Sequence, residues 1–123
     1  MNMCSYIIKK KGAYMTEQHI DNHPYETDAI PDDELLYDLA DLFKIFSDTT
    51  RIKILYTLMQ QASTVNDLSE RIQASQSAVS HQLRILKQAH LVRFRKDGKN
   101  VIYALSDDHV YSILSQGMDH ICE

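Results

Sequence analysis

Ser75-Gln76-Ser77-Ala78-Val79-Ser80-His81-Gln82-Leu83-Arg84, followed by Ile85-Leu86-Lys87, repeats apolar residues at helical intervals. Val79, Leu83 and Leu86 fall on one face, while Ser77, Ser80, His81 and Arg84 follow i, i+3, i+4, i+7 on nearly the opposite one. Ser75 is a good N-cap, so the spacing predicts a helix from Ser75 to about Ala89. Its outer face is small, polar and cationic. Upstream, Thr64-Val65-Asn66-Asp67 reads as the capping-box start of a short helix with Val65, Leu68 and Ile72 turned inward. A tight break at Ala74 separates the two helices. Together they match a helix-turn-helix.

Two strands follow. Val92 and Phe94 alternate with Arg93 and Arg95, and Val101, Tyr103 and Leu105 line up beyond Asp97-Gly98. Asp-Gly between alternating runs signals a hairpin with a type I′ turn. That turn would set Phe94 opposite Val101 and Val92 opposite Tyr103, leaving Arg93, Arg95, Lys96 and Lys99 on the other face and the tip. A basic hairpin directly after a helix-turn-helix is a wing.

Working outward, Pro31 followed by Asp32, Asp33 and Glu34 marks a helix start, because acids favour the positive end of the helix dipole. Leu35, Leu36, Leu39, Leu42, Phe43 and Phe46 then recur at helical spacing. Ser47 and Asp48 can cap a second helix carrying Ile52, Leu55, Leu58 and Met59 on one side. A last helix from about Asp107 carries Val110, Ile113, Leu114, Gly117, Met118 and Ile121. The fold expected is mainly α with a β-hairpin wing, in the order ααααββα. Residues 1–31 read as an N-terminal arm and residues 32–123 as one winged helix-turn-helix domain suited to DNA. Met15 is an alternative initiator within that arm.

Composition narrows the function classes. The chain has 123 residues, 44% apolar and 24% charged, values that suit one globular domain. Its longest stretch free of Asp, Glu, Lys and Arg runs from Ile54 to Asn66, too short to cross a bilayer. Tyr6-Ile7-Ile8 ahead of Lys9-Lys10-Lys11 has the wrong charge order for a secretory signal. Two cysteines, Cys4 and Cys122, build no disulfide framework, so a reducing cytoplasm is the expected compartment. The net charge of -4 is unevenly spread: Val79 to Tyr103 holds Arg84, Lys87, Arg93, Arg95, Lys96 and Lys99 against Asp97 alone. Such a stripe is an electrostatic footprint for nucleic acid. No G-x-S-x-G, phosphate loop or H-E-x-x-H occurs, so an enzyme is not expected.

The Ser75–Arg84 run, with Leu91-Val92, Gly98 and Tyr103, resembles the ArsR/SmtB family of winged-helix metal-sensing repressors. The similarity runs from about Leu35 to Glu123. It implies a homodimer that sits on operator DNA and leaves when an effector binds. Matching positions imply that Gln76, Ser77, Ser80 and His81 approach the major groove and that the hairpin tip, with Arg95, Lys96 and Lys99, lies on flanking phosphates. Arg84 joins them from the face it occupies.

Family members differ in their effector sites. The thiolate site needs cysteines where this sequence has Thr64 and Asn66, so that site is absent. The zinc-type site follows Asp-x-His, ten residues, then His-x-x-Glu, which Asp107, His109, His120 and Glu123 match. Two imidazoles and two carboxylates suit tetrahedral Zn(II), with Co(II) or Ni(II) as substitutes. On one helix His109 and His120 stand about 16 Å apart, so they cannot clamp one ion together. Antiparallel copies would set His109 of one beside His120 of the other, giving two equivalent sites. Filling all four positions with protein leaves no place for a catalytic water, against a metal hydrolase. The resemblance also implies that the second ring nitrogen of His120 bonds the backbone carbonyl of His90. Two alternatives stand beside zinc. One is a thiol- or redox-responsive repressor using Cys4 and Cys122, the other a nickel or cobalt sensor recruiting His19 and His23.

Overall fold

The computed structural model describes residues 29–123. Five helices and three strands run in the order α1 (Asp33–Ile45), α2 (Thr49–Gln60), β1 (Ser63–Thr64), α3 (Val65–Ile72), α4 (Gln76–Gln88), β2 (Val92–Asp97), β3 (Asn100–Leu105) and α5 (Asp108–Cys122). This is the expected winged helix-turn-helix with one strand more. No described helix is long and apolar enough to cross a membrane.

Local chemistry starts each helix of the head. The Asp48 carboxylate accepts from Arg51 N at 2.9 Å and opens α2. Thr64 and Asp67 form the reciprocal capping box of α3, at 3.1 and 3.2 Å. Gln73 ends α3 in the left-handed region, with φ 56°, a turn that redirects the chain into α4. The Ser75 hydroxyl then accepts from Ala78 N at 3.1 Å. α1 ends where Arg51 Nε donates to the Ile45 carbonyl at 2.9 Å.

The core joins Ile54, Leu55 and Leu58 of α2 to Leu68 of α3, Val79, Leu83 and Leu86 of α4, Leu91 and Val92, and Val110 and Leu114 of α5. Ile54 is buried and Ile52 is 38% exposed, the reverse of the emphasis expected from spacing. α2 is covered by α3, α4 and β3 at once, so its inward face is wide enough to take the adjacent positions 54 and 55. Ile52 instead lines a groove of about 480 Å³ with Tyr56 and Met118. Leu68 is fully buried among these elements. Leu68→Ala is therefore expected to cost about 2–5 kcal/mol, read as a lower denaturation midpoint.

The hairpin register differs from the expected one by two residues. Phe94 lies opposite Tyr103, Val92 opposite Leu105, and Asp97 opposite Asn100. The turn is Gly98-Lys99. Gly98, at φ 63°, sits at its first central position, and Lys99 is not among the residues with positive φ. That is the type II′ pattern, whereas type I′ needs positive φ at both. A slip of two keeps Val92 and Phe94 on one face and Arg93 and Arg95 on the other, while Lys96 moves from the tip into the strand, on the face of Phe94. Hence Phe94 and Tyr103 remain neighbours, with ring centroids 5.9 Å apart.

β1 is the addition to the expected elements. Its two residues pair antiparallel with β3, Ser63 opposite Tyr103 and Thr64 opposite Ile102, giving the sheet order β1-β3-β2. A two-residue strand has no periodicity to read. α1 also stands apart, since it has no buried residue. Leu35, Leu39 and Phe43 are 61%, 47% and 57% exposed, while Leu42, Ile45 and Phe46 pack against the core.

Candidate functional site

The outer face of α4 is open. Gln76, Ser77, Ser80, His81 and Arg84 are all exposed, while Val79, Leu83 and Leu86 behind them are buried. Gln76 is the first residue of α4, and its Nε2 donates to Asn66 Oδ1 of α3 at 2.9 Å. Asn66 Nδ2 in turn donates to Glu70 Oε1 at 3.4 Å. Arg93, Arg95, Lys96 and Lys99 are exposed on the hairpin. Strand alternation puts Arg93 and Arg95 on one face, and Lys96 on the face of Val92 and Phe94. Among the described residues, none of Arg84, Arg95, Lys96 and Lys99 is in an ion pair. Their charge is available to an anion.

One cation of the stripe is engaged differently. Lys87 Nζ lies 4.0 Å from the centroid of the Phe94 ring, a cation–π contact between the end of α4 and the wing. Nothing local in the sequence indicates this pairing, because it depends on how the hairpin docks on the helix. It ties α4 to the hairpin.

The four expected metal ligands sit at the two ends of α5. Asp107 is its N-cap, with Oδ1 accepting from His109 N at 2.9 Å and Val110 N at 3.2 Å. His109 Nδ1 is 3.6 Å from the same oxygen, and the two side chains are 92% and 53% exposed. The capping role is carried by Oδ1, so Oδ2 of Asp107 stays out of the cap. His120 and Glu123 are exposed at the far end of the helix. Among the described residues, no three His, Cys, Asp or Glu side chains gather within one protomer. One end of α5 holds the expected ligands Asp107 and His109 beside Asp108, and the other holds His120 and Glu123 beside Asp119. Thr64 and Asn66 are occupied by the capping box and the Gln76 contact. Cys4, His19 and His23 lie outside the described residues, and Cys122 is half-buried in the last turn of α5.

Known proteins share this architecture. Residues 48–93 match the family model described as bacterial regulatory protein, arsR family. The cadmium resistance transcriptional regulatory protein CadC homolog of Staphylococcus aureus is 39% identical over 84 residues, which are 68% of this chain and 69% of that protein. The chain belongs to the arsR family. A second relative, the transcriptional repressor SmtB homolog of Synechocystis sp., is 40% identical over 69% of this chain and 64% of its own length. The arsR-family chain thus spans about two thirds of the length of these curated relatives. Among solved structures, reduced HlyU from Vibrio cholerae superposes with a TM-score of 0.66 at 30% identity, covering 73% of this chain and 95% of that one. The two curated relatives are named as transcription regulators, not enzymes, and this chain shares the winged-helix fold of the arsR family.

Proposed function

We propose that this arsR-family chain is a metal-responsive transcriptional repressor that holds operator DNA as a homodimer and releases it when Zn(II) binds between the C-terminal helices. The observation that carries the DNA half is the exposed face of α4 beside an exposed basic wing on one packed head. Gln76, Ser77, Ser80 and His81 offer hydrogen-bonding groups to base edges, and Arg84, Arg95, Lys96 and Lys99 offer charge to phosphates. The exposed apolar residues Leu35, Leu39 and Phe43 of α1, with Tyr111 and Ile121 of α5, support a twofold partner on these helices.

The donor set supports a metal effector. Asp107 and His109 of one copy, with His120 and Glu123 of the other, would complete two nitrogens and two oxygens, a set that suits Zn(II) and tolerates Co(II) or Ni(II). A bound ion would supply cross-links that tie the two α5 helices in one arrangement. The cadmium-resistance role in the name of the Staphylococcus aureus relative is in keeping with a metal effector. A protein of this kind works in the cytoplasm, beside its operator.

The deciding experiment is fluorescence anisotropy on the DNA upstream of its own gene, with and without Zn(II). The proposal requires binding by the apo protein and weaker binding with the ion; equal affinity in both would refute it. Removing charge at Lys96 and Lys99 is expected to weaken binding to every sequence and to flatten the dependence of log K on log salt, by about 1 for each phosphate no longer neutralised. An unchanged slope would remove the wing from the interface.

A further inference from the structure

We propose that Glu70 and Asn66 fix which end of the Gln76 amide faces the DNA, so that Gln76 selects a base that offers an exocyclic amino group in the major groove. The inference rests on the reading of α4 as the recognition helix. It begins from a chemical asymmetry. The two ends of an amide side chain are nearly identical in shape and opposite in hydrogen-bonding character. A glutamine at the head of a recognition helix therefore has no fixed preference unless something holds it one way round.

Here something does. The Glu70 carboxylate is an acceptor only, so the atom of Asn66 that meets it at 3.4 Å must be the donor, Nδ2. That turns Asn66 Oδ1 toward Gln76, where it accepts from Nε2 at 2.9 Å. One N–H of Gln76 is thereby used, and Oε1 with the remaining N–H is left for a partner outside. The polarity of the chain is set at its carboxylate end and passed through two amides. Asn66 and Glu70 stand four apart on α3, whose capping box is built by Thr64 and Asp67, so the relay sits on an anchored helix. Gln76, Asn66 and Glu70 are all exposed in the free protein, where water weakens such bonds. Docking on DNA removes that water and raises the cost of a mismatched end.

In the major groove, an acceptor with one neighbouring donor fits adenine, through N6 and N7, or cytosine, through N4. Guanine and thymine offer only acceptors there, so they can take the remaining N–H but leave Oε1 facing an acceptor or unpaired. Gln76 thus favours adenine or cytosine at its position in each half-site. Asn66 and Glu70 act as positioning residues that never touch the base.

The test is selection of binding sites from a randomised duplex library by the full apo chain and three variants. Gln76→Ala identifies the position that Gln76 reads, as the one whose adenine or cytosine preference disappears. Glu70→Lys replaces the acceptor by a donor, which would turn Asn66 round and present the Gln76 amino group outward. Its expected result is a shift at that same position toward guanine or thymine. Asn66→Ala frees the amide, and discrimination there should fall about fivefold or more. The readout is preference within each library, so a general gain in affinity from the positive charge that Glu70→Lys introduces does not enter. Unchanged preference in both Glu70→Lys and Asn66→Ala, at a position that Gln76→Ala abolishes, overturns the relay and leaves the recognition helix standing. No change at any position with Gln76→Ala overturns the inference together with the contact assigned to Gln76.

Discussion

Operator binding is expected to be lost when Ser80 and His81 are both replaced by Ala. The two side chains are adjacent on the open face of α4, away from the core formed by Val79, Leu83 and Leu86. Each well-placed contact to a base edge is worth about 1–3 kcal/mol, so removing two lowers affinity by roughly a hundredfold or more. Exposed substitutions away from caps and core change stability by about 0.5 kcal/mol or less, so the variant should unfold at the wild-type denaturant midpoint. Anisotropy titration and a denaturation curve on the same preparation separate the two effects. Wild-type operator affinity in the double variant would refute the assignment of α4 as the reading helix.

The second large effect concerns release. An effector that weakens DNA binding must bind the free dimer more tightly than the DNA-bound one, and the factor is the same in both directions. A coupling of about 1–3 kcal/mol corresponds to roughly 5–150-fold in either affinity. His109→Ala removes an imidazole from one end of α5 without touching α4, so tight zinc binding should disappear while the apo protein still holds its operator. His120→Asn should behave differently. Asn can keep part of the ligation but cannot offer a second ring nitrogen to the His90 carbonyl, the partner proposed for it. His90 is held at φ 60°, its N–H on the Lys87 carbonyl at 3.0 Å, with Leu91 N on the Leu86 carbonyl at 2.9 Å. Its carbonyl direction is therefore set by the end of α4 itself. A His120→Asn protein that binds zinc yet stays on DNA is the expected phenotype, read by paired zinc and DNA titrations. Retained stoichiometric tight zinc in His109→Ala would remove that residue from the ligand set.

Much of this molecule is legible in short stretches of chain, and the reason is physical. Caps such as Asp48, Thr64 with Asp67, and Ser75 act over three residues, so their signal is complete within the sequence that carries it. The outer face of α4 is legible for the same reason, since helical period alone sorts Ser80 and His81 from Val79 and Leu83. What escapes is what forms between distant segments. β1 exists only because β3 runs beside it, and Ile54 is buried because three elements cover α2. The hairpin slip turns on one residue, whether Gly98 stands first or second in the turn. The pairs proposed as ligands on α5 are visible as spacing, but at about 16 Å apart along a helix they could share an ion only between two chains.

The pairing of Thr64 with Ile102 has a consequence for how the protein comes into being. It closes a loop of roughly 40 residues that contains α3, α4 and most of the hairpin, and bringing such ends together costs about 3 kcal/mol of chain entropy. The α3–α4 and β2–β3 contacts join near neighbours in sequence and form cheaply by comparison. The seam between β1 and β3 is therefore the late step in folding and, by the same logic, an early place to open. On the ribosome, Thr64 emerges well before Ile102. The nascent helix pair must wait for the second wing strand before β1 has a partner to hold it in place.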